Sequence, residues 1–312
     1  MSDYLLNVEN LSQQFKSGRG KKKLIVKAVD DVSFGVKPAE TFGLVGESGC
    51  GKTTTGRTII RLYDPKSGKV TFNGREISGK MTNNLRRYLT DNIAMIFQDP
   101  VESLNPRMTV EEIIGEGLRV RGEKDSAKVR EAVVDVLRKV GLNEDHASRY
   151  PHEFSGGQRQ RIGIARAIIV RPKMIIADEP VSALDVSIQA QVINLLNDLK
   201  EQMGLTILFI AHNLSVVKYF SNRVGVMYYG KLVEVARGDD LYKNPLHPYT
   251  RALLSAIPEP NPITEKTRQR VDYDPARDHD YSVEKPSMVE IEPEHLIYCS
   301  PSELEKYQKM IN

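Results

Sequence analysis

Gly46-Glu47-Ser48-Gly49-Cys50-Gly51-Lys52-Thr53 fits G-x-x-x-x-G-K-[ST] at every fixed position, and its reading decides the fold. Such a loop needs glycine because the backbone must curl closely and aim several N–H groups inward at phosphate oxygens, where a Cβ would obstruct. In that reading Lys52 reaches the β and γ phosphates of a nucleotide, and the Thr53 hydroxyl ligates Mg²⁺. Thr41-Phe42-Gly43-Leu44-Val45 upstream reads as a short buried strand. Downstream, Thr54 to Leu62 reads as a helix whose N-terminus adds its dipole to the anion site. For the octapeptide in isolation, a Gly-rich surface turn is the alternative. Cys50 stands at a variable position of the pattern, as a small side chain that fits there.

Composition bounds the rest. A chain of 312 residues buries one large α/β core or two modest ones plus a tail. Hydrophobic residues at 40% and charged residues at 27% are those of a soluble globular protein. The net charge of +3 is too small to point to nucleic acid, and the one basic cluster, Arg19 to Lys23, reads as a solvated loop. No apolar run approaches the length of a membrane span, and the N-terminus lacks the apolar core of a signal peptide. Membrane association is therefore expected only through protein partners. With Cys50 and Cys299 the only cysteines, neither a structural disulfide nor a cysteine-based zinc site is expected, which suits the cytosol.

Along the chain, Tyr4 to Phe15 and Ile25 to Val36 carry strand alternation around the Gly/Lys-rich Ser17 to Lys23, a hairpin-rich first sheet. Gly68 to Gly74 gives another short strand, and Ile93 to Phe97 a buried one stopped at Gln98-Asp99-Pro100. From Thr109 to about Val170 the periodicity is helical. Val110, Ile113 and Ile114 share one face, and Val129, Val133, Val136, Leu137 and Val140 form a second stripe. Met174 to Ala177 resumes the sheet, Val192 to Met203 is a helix stopped by Gly204, and Thr206 to Ala211 is a further buried strand. Strands alternating with helices imply a parallel sheet covered on both faces. After about Asn261, the chain is rich in Pro, Asp, Glu and Lys with little periodicity, and reads as a loosely packed tail or small appendage.

Two carboxylates, Asp178 and Glu179, come directly after the strand Met174 to Ala177, at the end where open α/β sheets place ligands. Asp178 is placed to hold Mg²⁺, and Glu179 to polarise the water that attacks the γ-phosphate. Taken alone, such a pair also reads as a helix N-cap or a solvated turn. Ser155-Gly156-Gly157-Gln158 opens a helix from Arg159 to Val170, so a serine hydroxyl and N–H groups make a second anion site. One chain has little use for two such sites unless they serve different nucleotides.

At these residues, Phe154-Ser155-Gly156-Gly157-Gln158-Arg159-Gln160-Arg161 resembles the signature of the ATP-binding cassette (ABC) ATPases. The resemblance covers about Leu6 to Val235 and implies roles for further residues. Gln98 matches the glutamine loop that touches Mg²⁺ and senses the membrane subunit. Ser182-Ala183-Leu184-Asp185 matches the loop that crosses to the partner, and His212 the switch histidine at the γ-phosphate. Phe15 resembles the aromatic that stacks on adenine, a core phenylalanine being the alternative. By the same resemblance, Glu47, Ser48, Gly49 and Thr54 join Gly46, Cys50, Gly51, Lys52 and Thr53 around the phosphates, while Ser155, Gly156, Gly157 and Gln158 face the partner's ATP and Asp185, in the loop that crosses to the partner, also binds nucleotide. Phe154 departs from the family's more frequent leucine, one apolar anchor for another. The implied fold is α/β: a RecA-like P-loop core with a small antiparallel sheet and an inserted helical subdomain, about 99–170, plus a C-terminal extension. The cassette would span residues 1–255 and the extension 256–312.

Asn244-Pro245-Leu246-His247-Pro248-Tyr249-Thr250-Arg251-Ala252-Leu253-Leu254-Ser255-Ala256-Ile257-Pro258 resembles the segment after the cassette in ATPases of the peptide and nickel importer family. Within that family the chain is most similar to the F-type ATPase subunits of oligopeptide permeases, in their form without a cysteine-rich terminal stretch. The implied activity is ATP hydrolysis with Mg²⁺ that powers oligopeptide import, Glu179, His212, Gln98 and Lys52 being the catalytic set. The implied partners are a second, related ABC ATPase in a head-to-tail heterodimer, two transmembrane permease subunits and an extracytoplasmic substrate-binding protein, with no nucleic acid. The chain would lie peripherally on the cytoplasmic face of the cell membrane. Dipeptide or nickel import is the alternative within the family, and a soluble cassette protein that transports nothing the alternative outside it.

Overall fold

The computed structural model describes residues 3–17, 24–258 and 270–311. The basic cluster Arg19 to Lys23 and the start of the expected tail at Asn261 lie outside them. The strands are β1 (Leu6–Ser17), β2 (Leu24–Val36), β3 (Thr41–Val45), β4 (Ser67–Phe72), β5 (Arg75–Glu76), β6 (Ile93–Ile96), β7 (Met174–Asp178) and β8 (Thr206–Ala211). Four more follow among the described residues: β9 (Arg223–Tyr228), β10 (Lys231–Arg237), β11 (Ser287–Glu292) and β12 (His295–Cys299). The helices are α1 (Lys52–Ile59), α2 (Asn83–Asn92), α3 (Pro100–Ser103), α4 (Val110–Val120), α5 (Ser126–Lys139), α6 (Gly156–Ile168), α7 (Val186–Met203), α8 (Leu214–Phe220), α9 (Gly238–Lys243) and α10 (Pro248–Ser255). Two further helices, Pro275–Asp278 and Pro301–Ile311, lie toward the C-terminus.

These elements form two compact units. The first comprises Met1–Gly35, Thr41–Ser78 and Ile210–Asn312. Its small sheet runs β2-β1-β4-β5, with Leu6 opposite Phe72 and Val8 opposite Val70, so that one face of alternating apolar residues is buried. A second run of strands, β11-β12-β10-β9-β3, places β3 parallel to β9 with Val45 beside Val226. All five residues of β3 are buried, and the strand ends where the glycine loop starts. Helix α1 begins at Lys52, two residues earlier than the apolar pattern indicates, because left-handed Gly51 serves as its N-cap and a polar lysine opens it.

The second unit comprises Val36–Glu40 and Gly79–Phe209. In it β8, β7 and β6 are successive neighbours, and β6 and β7 are parallel with Ile93 beside Met174. β7 is buried throughout, hence its unbroken apolar run. The helical subdomain is built on strong local signals. Thr109 and Glu112 form a reciprocal capping box on α4, and the Asp125 carboxylate caps α5. α4 and α5 approach closely at Gly115, where a Cβ would lie 2.7 Å from Val129 Cγ1. Helix α2 escapes a reading of periodicity, since only Leu85 and Leu89 are buried on it. Its start is nevertheless marked by Thr82, whose hydroxyl accepts the Leu85 N–H at 3.2 Å.

Of the two readings of the tail, residues 270–311 fit the small appendage and not the loosely packed tail. β12 pairs antiparallel with β10 and β11 with β12, and Ile297, Cys299, Tyr307 and Leu246 form a buried cluster. Its anchor is polar: the fully buried Glu234 carboxylate accepts the Leu246 and His247 N–H groups at 2.8 and 3.1 Å and meets His295 Nε2 at 2.9 Å. His247 in turn caps α10, its Nδ1 accepting the Tyr249 N–H at 3.1 Å.

That cap requires a neutral imidazole. Burial pushes the His247 pKa down to about 3, with His279 and Arg251 adding to the effect. Because the folded value lies below the unfolded 6.5, the unfolded chain takes up the proton first. The stabilisation is complete above pH 6.5 and is lost as the pH falls from there toward 3, about 2 kcal/mol of it by pH 5. Melting followed by circular dichroism is expected to show a lower Tm at pH 5 than at pH 7, and His247→Asn, which keeps a capping acceptor, is expected to flatten that dependence.

Candidate nucleotide site

The first unit carries the glycine loop. Lys52 is 3% exposed, and its Nζ donates to Gly46 O and Glu47 O at 2.8 Å each and contacts Cys50 Sγ at 3.7 Å. A buried ammonium must be hydrogen-bonded, and here the loop's own carbonyls do it. The loop path requires left-handed backbone at Gly46, Gly49 and Gly51, with φ of 149°, 81° and 111°. A Cβ on Gly46 would lie 2.2 Å from Met227 O, and one on Gly51 2.1 Å from Ala28 O. Further anchors fix the loop: Gly230 N–H donates to Cys50 O at 2.8 Å, and the Tyr249 hydroxyl accepts the Glu47 N–H at 3.1 Å. Burial pushes the Cys50 thiol pKa up, so Cys50 sits beside the lysine as a neutral thiol.

No side chain caps α1 and no acidic residue lies in its first turn, so its N-terminal end suits an anion. Thr53 and Thr54 occupy that turn, half-buried. Ser48 and Gly49 lie exposed at the loop's tip. Phe15 is 37% exposed and therefore not a core residue, and its ring meets Tyr63 edge-on at 5.2 Å. His212 is exposed directly after Ala211.

The second unit carries the acidic residues. Asp178 ends β7 fully buried, whereas Glu179 is half-buried with a left-handed φ of 45°. That turn swings the two carboxylates in different directions, and it is held by Ser182, whose N–H and hydroxyl both donate to Glu179 O at 3.2 and 3.1 Å. Gln98 lies just beyond β6, and its Nε2 donates to Glu179 Oε2 at 3.3 Å. Two residues distant in sequence, each singled out by its motif, thus meet.

Ser155 is the N-cap of α6 in a reciprocal box with Gln158: Ser155 Oγ accepts the Gln158 N–H at 3.3 Å, and Gln158 Oε1 accepts the Ser155 N–H at 3.0 Å. The Gln158 N–H is thereby committed to the cap rather than open to an anion. Ser155 and Gly156 are exposed and Gly157 is half-buried, with its missing side chain explained by packing, since a Cβ there would lie 2.6 Å from Ile188 Cγ2 of α7. Asp185 precedes α7, exposed, without a side-chain cap bond. α7 starts six residues before the expected Val192 because none of the residues of its first turns, Val186 to Gln191, is buried, so they add no apolar stripe. Sequence reasoning missed Ile188, Tyr63 and the contact of Tyr249 with the loop, none of which carries a local signal.

Residues 29–182 match the family model described as ABC transporter, and residues 233–281 that described as Oligopeptide/dipeptide transporter, C-terminal region. The chain belongs to the ATP-binding proteins of ABC transporters, in the branch that carries the oligopeptide/dipeptide C-terminal region. It is 54% identical over 98% of its length to all of the oligopeptide transport ATP-binding protein OppF of Bacillus subtilis. It is 52% identical, over the whole of both chains, to the oligopeptide transport ATP-binding protein AmiF of Streptococcus pneumoniae. The dipeptide transport ATP-binding protein DppF of Lactococcus lactis is 50% identical over 98% of this chain and 97% of its own. Among solved structures, a dimeric post-hydrolysis state of the ATP-binding cassette MJ0796 bound to ADP and Pi matches with a TM-score of 0.67 and 28% identity, over 74% of this chain and 98% of that one. The fold is therefore the α/β P-loop fold of ABC cassettes.

The loop geometry separates two glycines. Gly49→Ala meets nothing within 4 Å and bears only backbone strain, an expected loss of about 1 kcal/mol. Gly51→Ala adds a collision with the Ala28 carbonyl and is expected to cost about 3 kcal/mol. Urea unfolding of the two variants measures the difference, and equal losses would contradict the role given to the Ala28 carbonyl.

Proposed function

We propose that this chain is the ATP-hydrolysing subunit that powers oligopeptide import by an ABC transporter, lying peripherally on the cytoplasmic face of the membrane. The observation that carries the cargo class is the 54% identity to an oligopeptide transport ATP-binding protein along its full length, C-terminal region included. No helix among the described residues is long and apolar enough to cross a membrane, so translocation belongs to membrane permease partners. Two such permeases, an extracytoplasmic substrate-binding protein and a second, related ATPase complete the proposed system. Dipeptides are the second reading of the cargo, favoured by the likeness to the L. lactis protein.

The chemistry grows out of the residues. Loop N–H groups from Gly49 to Thr54 receive the phosphate oxygens, and Lys52 places its positive charge where negative charge develops on phosphoryl transfer. An anionic phosphate oxygen replaces the weakest of the three Lys52 contacts, the thiol of Cys50. The uncapped α1 terminus and the neutral thiol fit an anion with its counter-ion, and Thr53, Asp178 and Gln98 would hold Mg²⁺. Bound there, Mg²⁺ would neutralise charge on the β and γ phosphates. Glu179, presented by its left-handed turn and met by Gln98, orients and polarises the attacking water. His212 contacts the γ-phosphate, and Phe15, exposed as a stacking ring must be, takes the adenine.

Closure over the nucleotide needs a partner. The Ser155 cap uses an acceptor lone pair and does not consume the hydroxyl proton, so Ser155 can donate to the partner's ATP. Gly156 and Gly157 add their N–H groups, Gln158 closes the cap behind them, and Asp185 crosses to the partner. The dimer of MJ0796 with ADP and Pi supports such a paired arrangement.

Glu179→Gln tests the hydrolytic role. In the transporter assembled in vesicles, it is expected to keep ATP affinity within about threefold while hydrolysis falls at least about 10²-fold. Parental hydrolysis by the variant would overturn the assignment. Uptake of labelled oligopeptides against dipeptides by the parental complex decides the cargo.

A further inference from the structure

The C-terminal region reaches the phosphate loop through the hydroxyl of Tyr249. Tyr249, on α10, is 2% exposed, and its oxygen accepts the Glu47 N–H at 3.1 Å. That N–H belongs to the Gly46–Glu47 peptide, and the other end of the same peptide, Gly46 O, accepts Lys52 Nζ at 2.8 Å. In a trans peptide the N–H and C=O point in opposite directions, so Tyr249 grips this peptide from one side and Lys52 from the other. All of these groups lie in the first unit. The peptide has little freedom besides, because Gly46 presses on the Met227 carbonyl of β9, where a Cβ would lie at 2.2 Å.

The tyrosine ring is held independently of that bond. His247 caps its helix, the buried Glu234 carboxylate holds the His247 and Leu246 N–H groups, and the rings of Tyr228 and Tyr273 pack at 4.5 and 5.4 Å. A phenylalanine would satisfy every one of those packing contacts. The hydroxyl adds one thing, an acceptor aimed at the backbone of the loop. Burial raises the Tyr249 pKa, so the group is a neutral phenol.

We propose that Tyr249 is a positioning residue of the ATPase site, acting through the Gly46–Glu47 peptide to set where Lys52 presents its ammonium. The proposal rests on the reading of Lys52 as the phosphate-contacting cation. It makes the C-terminal region a working wall of the phosphate loop, so that ATP turnover depends on how the segment Leu246 to Tyr249 is seated on Glu234.

The test uses the full chain assembled with its permease partners, comparing Tyr249→Phe, Tyr273→Phe and Lys52→Ala with the parent. Rates are expressed per nucleotide site counted by stoichiometric binding, so misfolded molecules do not enter. Tyr249→Phe is expected to lower kcat about three- to tenfold, the scale of one hydrogen bond, with KM for ATP within about twofold and Tm within about 2 °C. Tyr273→Phe, which removes a hydroxyl from the same aromatic cluster, is expected to turn over as the parent does. An unchanged kcat in Tyr249→Phe, or an equal fall in Tyr273→Phe, overturns the proposal while leaving the site reading intact. Parental turnover by Lys52→Ala would instead sink the site reading itself, and this inference with it.

Discussion

A lysine ammonium at 3% exposure is the constraint on which the first unit depends. Charge taken out of water must be met by oriented dipoles, and the carbonyls of Gly46 and Glu47 meet it at 2.8 Å. For those oxygens to face Lys52 within six residues, the backbone between them must pass through conformations open to glycine, hence the left-handed φ at 46, 49 and 51. The loop then needs rigid ends. β3 supplies one by parallel pairing with β9, α1 the other, and Thr55 and Thr58 tie α1 to itself through hydroxyl bonds to Gly51 O and Thr54 O at 3.0 and 2.7 Å.

The second unit solves a different problem, the presentation of two adjacent carboxylates in different directions. A strand alternates its side chains, yet Asp178 and Glu179 are separated by more than alternation, because Glu179 adopts φ of 45°. Such a conformation costs a non-glycine residue about 1–2 kcal/mol and persists only where the surroundings enforce it. Ser182 does so with two bonds to the Glu179 carbonyl, and Gln98 receives the carboxylate that results. Ser182 thus has a local structural duty in the same segment that the sequence marked as crossing to a partner.

The C-terminal region shows how a polar sequence is held in a folded core. Its strands β11 and β12 are short, β11 is rich in Glu, and their cohesion comes from pairing onto β10 and from Glu234, whose buried carboxylate accepts two backbone N–H groups and meets His295. A buried carboxylate so paired is costly to disrupt, since removing a partner leaves an uncompensated charge. Burial also raises the Cys299 thiol to about 11, so it packs as an apolar group.

Local chemistry was legible in the chain: the glycine loop between a buried strand and a helix, the helix that Ser155 opens, and the run of β7 leading into Asp178 and Glu179. Each depends on hydrogen bonds or periodicities that span a few residues, and residue type at fixed spacing encodes them. The order in the region after 270 was not read, although Val289 and Ile291 of β11 and Ile297 and Cys299 of β12 alternate, because strands of five or six residues give a short signal and their pairing partner β10 lies some 60 residues back. Nor were the reason for Gly157, which is the Ile188 side chain, and the seating of the loop by Tyr249 across 202 residues. Those contacts exist only when packed elements meet, and a van der Waals gap or a single hydroxyl acceptor leaves no trace in the residues next to it.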